Sequence, residues 1–156
     1  MTGGCACGKV RFEAEVDNDE AYLCHCRMCQ RATGSVSIAF KNLPQAKVRW
    51  LSGPDWYDSS PIARRPYCRE CGTSLGFQFK EGEKMDLTVA AFDEPERFQP
   101  KWHFGAESLH EAWLDTSSLP RHRTEEHKPL VEKRIAANGK MPNGLGNGSG
   151  ATPSLK

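Results

Sequence analysis

Cys24-His25-Cys26-Arg27-Met28-Cys29 puts three thiols into six consecutive residues, close enough for one turn of backbone to aim all three at a single point. Two further pairs flank this stretch, Cys5 and Cys7 before it and Cys68 and Cys71 after it. The total of seven is odd, so a framework of disulfides alone leaves one thiol over. Seven thiols divide instead into a set of four and a set of three, which is what one closed tetrahedral zinc site and one open zinc site use. Distant cysteine pairs joined by metal then decide the fold, because a zinc staple lets many short strands form one domain.

Working outward, the run from Arg27 to Thr33 is predicted as a short helix, closed by Gly34 in a C-terminal cap. Towards the N-terminus, Val10, Phe12, Ala14 and Val16 alternate with Lys9, Arg11, Glu13 and Glu15, the pattern of a half-buried antiparallel strand. Asp17-Asn18-Asp19 supplies a turn. Towards the C-terminus, Val36–Phe40 reads as a strand interrupted by Asn42-Leu43-Pro44, the residues around Val48 and Trp50 as another, and residues 55–61 as loop or edge strand. Leu75, Phe77 and Phe79 alternate, as do Met85, Leu87, Val89 and Ala91, and the polar connection between them makes a hairpin signal. Residues 98–113 are rich in aromatic side chains without a clean period. Leu130–Ala137 can form a short helix, and residues 138–156, dominated by Gly, Asn, Pro and Ser, are expected to be a disordered tail. The chain therefore reads as mainly β, antiparallel, with one or two short helices.

The whole chain of 156 residues is long enough for one domain with a real core and at most an appendage. Its formal net charge of +1, with acidic and basic residues interspersed, lacks the electrostatic footprint of a nucleic-acid binder. The first residues lack the regions of a signal peptide, and no apolar run approaches membrane-spanning length. A soluble, cytoplasmic protein is expected, in a compartment where thiols stay reduced and can take metal.

Cys5-x-Cys7 and Cys68-x-x-Cys71 are each half of a tetrahedral site, and Gly72 lets the backbone fold beneath the second half. Four thiolates without a vacancy predict a structural metal. Cys24, Cys26 and Cys29 lack a fourth thiol, the pattern of a catalytic zinc that keeps one position for water or substrate. Three thiolates on a divalent zinc leave a net charge of minus one, so such a site acidifies water weakly and favours another soft ligand, a small thiolate. A histidine, His25, His103 or His110, is the alternative that would close this site. His25 otherwise reads as a residue beside the ligands or facing solvent, and His103 as a satisfied core histidine or a pocket wall. Arg64 and Arg65 read as a solvated strand edge, or as clamps for a substrate carboxylate together with Arg27. The tryptophans read as core.

Gly4-Cys5-Ala6-Cys7-Gly8-Lys9-Val10-Arg11-Phe12, the stretch from Cys24 to Gly34, and Cys68-Arg69-Glu70-Cys71-Gly72-Thr73-Ser74-Leu75 together resemble the glutathione-dependent formaldehyde-activating enzyme family, which includes the centromere protein V group. His103-Phe104-Gly105-Ala106-Glu107-Ser108, Trp113 and Leu119-Pro120 are similar to that family's C-terminal region. The resemblance covers residues 3–123 and sets the expected division, a zinc domain over 1–123 and a short helix with a low-complexity tail over 124–156. It implies a β-tent type fold stapled by zinc, a structural zinc on Cys5, Cys7, Cys68 and Cys71, and a labile catalytic zinc on Cys24, Cys26 and Cys29, two Zn²⁺ per chain. It also implies a carbon-sulfur lyase whose named reaction reversibly joins formaldehyde and glutathione into S-(hydroxymethyl)glutathione, with a small thiol and an aldehyde as partners. Two other classes compete with this expectation. One is a non-catalytic zinc-stabilised binding module of the centromere protein V kind, against which the near-neutral charge argues. The other is a thiol-redox or metal-buffer protein using the labile site.

Overall fold

The computed structural model describes residues 1–139. The tail expected to be disordered falls almost wholly on residues 140–156, outside the described residues. Two compact units are present, Met1–Leu114 and the residues from Asp115 onward.

The first unit is mainly β, as predicted. Its elements in chain order are β1 (Thr2–Gly4), β2 (Arg11–Ala14), β3 (Glu20–Cys24), α1 (Arg27–Thr33), β4 (Ile38–Pro44), β5 (Val48–Ser52), β6 (Asp55–Ser60), β7 (Ala63–Tyr67), β8 (Gly76–Phe79), β9 (Lys84–Thr88) and β10 (Gln99–Phe104). β1, β2 and β5 form a small sheet, and the other seven form a long sheet in the order β10-β3-β4-β9-β8-β7-β6. In the second unit, α2 (Lys128–Asn138) covers the helix expected over 130–137, with Pro129 in its first turn where a missing N–H costs nothing.

Strand periodicity explains how the long sheet serves two purposes. Successive side chains point to opposite faces, so Ala21, Leu43, Met85 and Leu87 enter the main core while Tyr22, Cys24 and Phe40 gather with Ile38 and Phe77 on the other side, around Cys29. The main core is closed by the small sheet through Phe12, wholly buried, whose ring meets Trp50 and Phe92 edge-on at 5.6 and 5.2 Å. Cys5 and Cys68 belong to this main core, and Cys24 and Cys29 to the smaller cluster.

Four expectations are corrected. β4 runs through Asn42-Leu43-Pro44, because Pro44 sits at the strand's last paired position, opposite Lys84, where a missing donor breaks little. β10 is a strand although its sequence has no period, since all six of its residues are exposed at the sheet's edge and no alternation of burial was there to read. It pairs with β3 in parallel, the one parallel pairing among the described strands of an otherwise antiparallel sheet. Trp102 and Trp113 lie at the surface; Trp102 stacks on Tyr22 at 5.7 Å and Trp113 on His110 at 4.5 Å.

Candidate functional site

The thiols of Cys5, Cys7, Cys68 and Cys71 all lie within 4.8 Å of one another, so turns separated by sixty residues of sequence meet at one point. Sulfurs 2.3 Å from a tetrahedral zinc stand about 3.8 Å apart, and here Cys7 lies 3.4 Å from Cys5 and 3.8 Å from Cys68. Backbone bonds shape both turns: Gly8 N–H donates to Cys5 O at 3.0 Å, Gly72 N–H to Cys68 O at 2.8 Å, and Val10 N–H to the Cys5 sulfur at 3.2 Å. Thr73 joins the halves, its hydroxyl accepting from Ala6 N–H at 3.1 Å and standing 3.1 Å from the Cys71 sulfur. That hydroxyl, foremost among several hydrogen bonds, lowers the Cys71 thiol to about 6, so a thiolate is at hand for a cation at neutral pH. The donor set and spacing fit a zinc ion.

Cys24, Cys26 and Cys29 form the second cluster, again with sulfurs within 4.8 Å of one another. Two elements place them. Cys24 ends β3, Cys26 is the N-cap of α1, with its sulfur accepting from Cys29 N–H at 3.4 Å, and Cys29 lies one turn on. The helix ends as predicted, Gly34 taking the left-handed conformation at φ 66° and donating its N–H to Gln30 O at 2.8 Å. Among the described residues no histidine nitrogen, carboxylate or further thiol joins these three sulfurs at that spacing. Three soft donors with Cys26 half-exposed fit a metal that keeps a position for a further ligand.

The candidate fourth ligands are engaged elsewhere. His25 is buried, and its Nε2 lies 2.8 Å from Nδ1 of His103, which is exposed on β10; neither the solvent-facing reading of His25 nor the core reading of His103 holds. Burial foremost, with His103 adding, pushes the His25 imidazole below its ordinary value. His110 stacks on Trp113.

Arg65 is the residue that sequence reasoning misplaced. Its guanidinium is buried, not solvated, and Nη2 donates to the Cys29 sulfur at 3.3 Å while the group lies over the Phe77 ring, 4.9 Å from its centroid. Cys29 is lowered to about 5, first by its hydrogen bond with Cys24, against burial, with Arg65 helping; Cys24 is raised by the same bond, so one sulfur of the pair keeps the proton. Arg64, by contrast, stacks over Trp56 at 4.3 Å and donates to Gln78 at 3.1 Å. Asp86, also unforeseen, is buried on the trio's side of the sheet and accepts from Asn42 at 2.9 Å; burial foremost raises its carboxyl.

The strand β10 leads into the site's cover. His25 N–H donates to Phe104 O at 2.8 Å, and Gly105 then turns at φ 67° directly against Cys26. A Cβ at this glycine would stand 2.7 Å from Cys26 N and 3.0 Å from its Cα. Gly105→Ala is therefore expected to lower stability by about 1–3 kcal/mol, through both the left-handed backbone and the contact; chemical denaturation measures this, and an unchanged midpoint contradicts it. Beyond Gly105 the chain forms, with α1, a cleft of about 640 Å³ lined by Arg27, Gln30, Val36, Glu107, His110 and Trp113 among others. Gln30 shapes it, donating to Val36 O and Ser108 O at 3.1 Å and accepting from Arg27 at 3.0 Å. No described helix is long and apolar enough to cross a membrane.

A small β domain with one four-thiol and one three-thiol cluster defines a class of cysteine-rich proteins whose thiols are grouped as metal ligands would be. The chain belongs to the glutathione-dependent formaldehyde-activating enzyme family, whose sequence model matches residues 1–108. An uncharacterized lyase of Schizosaccharomyces pombe is 30% identical over 81 residues; the match spans 52% of this chain and 59% of that relative's length. A crystal structure of a Rhodobacter sphaeroides protein, from structural genomics, superposes with a TM-score of 0.53 at 25% identity, covering 65% of this chain and 99% of that one.

Proposed function

We propose that this chain is a zinc-dependent carbon-sulfur lyase that adds a small thiol of the glutathione kind to formaldehyde or a related aldehyde, and catalyses the reverse. The observation that supports this most directly is the contrast between the two clusters, four sulfurs at one point and three at the other with no fourth donor among the described residues. Cys5, Cys7, Cys68 and Cys71 would hold a structural Zn²⁺, and Cys24, Cys26 and Cys29 a catalytic one. When bound there, the second zinc supplies a soft Lewis-acid position at which a substrate thiol is kept as its more nucleophilic thiolate.

The protein's own groups divide the remaining work. In the forward direction the substrate sulfur forms a bond to the carbonyl carbon, the carbon-oxygen π pair moves to oxygen, and that oxygen takes up the proton the thiol gave off. His103, exposed and hydrogen-bonded to buried His25, is the candidate to pass such a proton between the site and solvent. The cleft beside α1 suits the peptide part of the thiol, because Arg27 and Glu107 offer opposite charges to its carboxylate and ammonium groups, with Trp113 and His110 as a flat wall. Holding that part fixes the sulfur relative to the trio, which converts binding into orientation.

The reading is tested by exchange NMR of formaldehyde with glutathione. The zinc-loaded protein is expected to speed interconversion with S-(hydroxymethyl)glutathione well beyond the uncatalysed rate. Exchange no faster than in buffer, for glutathione and for other thiol and aldehyde pairs, removes the enzymatic reading.

A further inference from the structure

Arg65 on β7 is 1% exposed, and a guanidinium cannot shed its charge on burial, so the interior around it must contain an opposite one. Among the described residues none of the ion pairs involves Arg65. Asp86, the buried carboxyl of the same sheet face, feels the charge of Arg65 but makes no ion-pair contact with it; its hydrogen bond comes from Asn42. What Arg65 touches is sulfur: Nη2 stands 3.3 Å from Cys29 Sγ. Its second terminal nitrogen, Nη1, is buried without a hydrogen-bond partner. An orphaned charged donor in a packed interior is costly enough to call for a partner that the described chain itself does not supply.

We propose that Arg65 is the specificity-determining cation of the three-sulfur site, the residue that lets its metal accept an anionic thiolate in preference to a neutral ligand. The inference rests on the open-site reading above. Three thiolates and a divalent metal sum to minus one, and the buried guanidinium brings the assembly to zero. A fourth thiolate then takes the site only to minus one, whereas without Arg65 it would take it to minus two in a medium that screens poorly. A neutral ligand such as imidazole leaves the charge unchanged in either case, so the two ligand types respond differently to removal of the cation. Stacking on Phe77 keeps the guanidinium at the sulfurs, and Nη1 has no hydrogen-bond partner to draw it elsewhere. Arg65 acts through charge on the metal's ligand preference and takes no proton.

The test uses the full chain loaded with Co²⁺, whose visible absorption reports a change of ligand, titrated at fixed pH with 2-mercaptoethanol and separately with imidazole. Arg65→Met is expected to weaken thiol binding about tenfold or more while imidazole binding changes by less than about twofold, because only the first involves a like charge. Arg65→Lys, which keeps the charge and tests the case where the Met variant does not fold, is expected to retain most of the thiol preference. Equal losses for both ligands in Arg65→Met, or loss of the preference in a folded Arg65→Lys, overturn the proposal. A wild-type cobalt protein that takes neither ligand overturns the open-site reading and this inference with it. Preference for thiol that depends on Arg65, found in a protein that fails to accelerate aldehyde exchange, supports the inference while rejecting the proposed reaction.

Discussion

Cys71→Ser is expected to abolish cooperative folding of the β domain, or to lower its melting temperature by more than about 20 °C, although Cys71 lies exposed and packs against no core. Replacing a surface sulfur by oxygen removes no buried apolar area, so packing alone predicts a change within about 0.5 kcal/mol. The metal argument predicts far more. Structural zinc supplies on the order of 10 kcal/mol of folding free energy, against a total stability of about 5–15 kcal/mol for a domain. A metal on the four sulfurs would join the turn after β1 to the turn after β7, and so add to the packing of Phe12 that seats the small sheet on the long one. For Cys71 itself the folded-state pKa is depressed from 9.0 to about 6, so this group's share of stability is complete above the free-thiol value and is lost as pH falls through about 6, while Cys7, pushed up to about 12, acts in the opposite sense. Thermal unfolding of Cys71→Ser and of chelator-treated wild type should agree. A variant that melts within about 2 °C of wild type would show that the quartet is not a staple.

The thiol clusters were legible in the sequence because their chemistry is local. Cys5-x-Cys7 and Cys68-x-x-Cys71 state half a site each, and only two halves were present to be joined. The helix after Cys26 was legible for the same reason, since its glycine cap is a local signal. Arg65 was not. In the sequence it stands beside Arg64, and two adjacent arginines suggest a solvated edge; the strand's period of two sends them to opposite faces, one outward over Trp56 and one inward to Cys29. The alternation of Ala63 and Arg65 was a usable signal, because Ala63 is buried, but the charge outweighed it. β10 was missed because an exposed edge strand has no buried face to mark its period, and its parallel pairing with β3 is a tertiary choice that no short stretch encodes. The His25–His103 contact depends on that pairing and was hidden with it, since His103 stands opposite Leu23 only in this register.

Cys26→Ser should leave the fold intact and remove the reaction. Cys26 does two things here, donating a sulfur to the trio and capping α1 through a 3.4 Å bond from Cys29 N–H. Serine is among the best N-cap residues, so the hydroxyl replaces the weaker sulfur acceptor and the helix keeps its start. What the substitution cannot replace is a soft thiolate ligand, and a site reduced to Cys24 and Cys29 lacks the donors to retain a metal. The expected outcome is one bound zinc per chain against an expected two in the wild type, a melting temperature within a few degrees, and aldehyde-thiol exchange slowed by about 100-fold or more. Met28→Ser, at an exposed position inside the same stretch, is expected to change none of these and controls for disturbance of the turn. The paired result separates the two clusters: loss of fold follows the quartet and loss of turnover follows the trio. Exchange at the wild-type rate in Cys26→Ser, with the second zinc gone, would place any reaction elsewhere than on the three sulfurs.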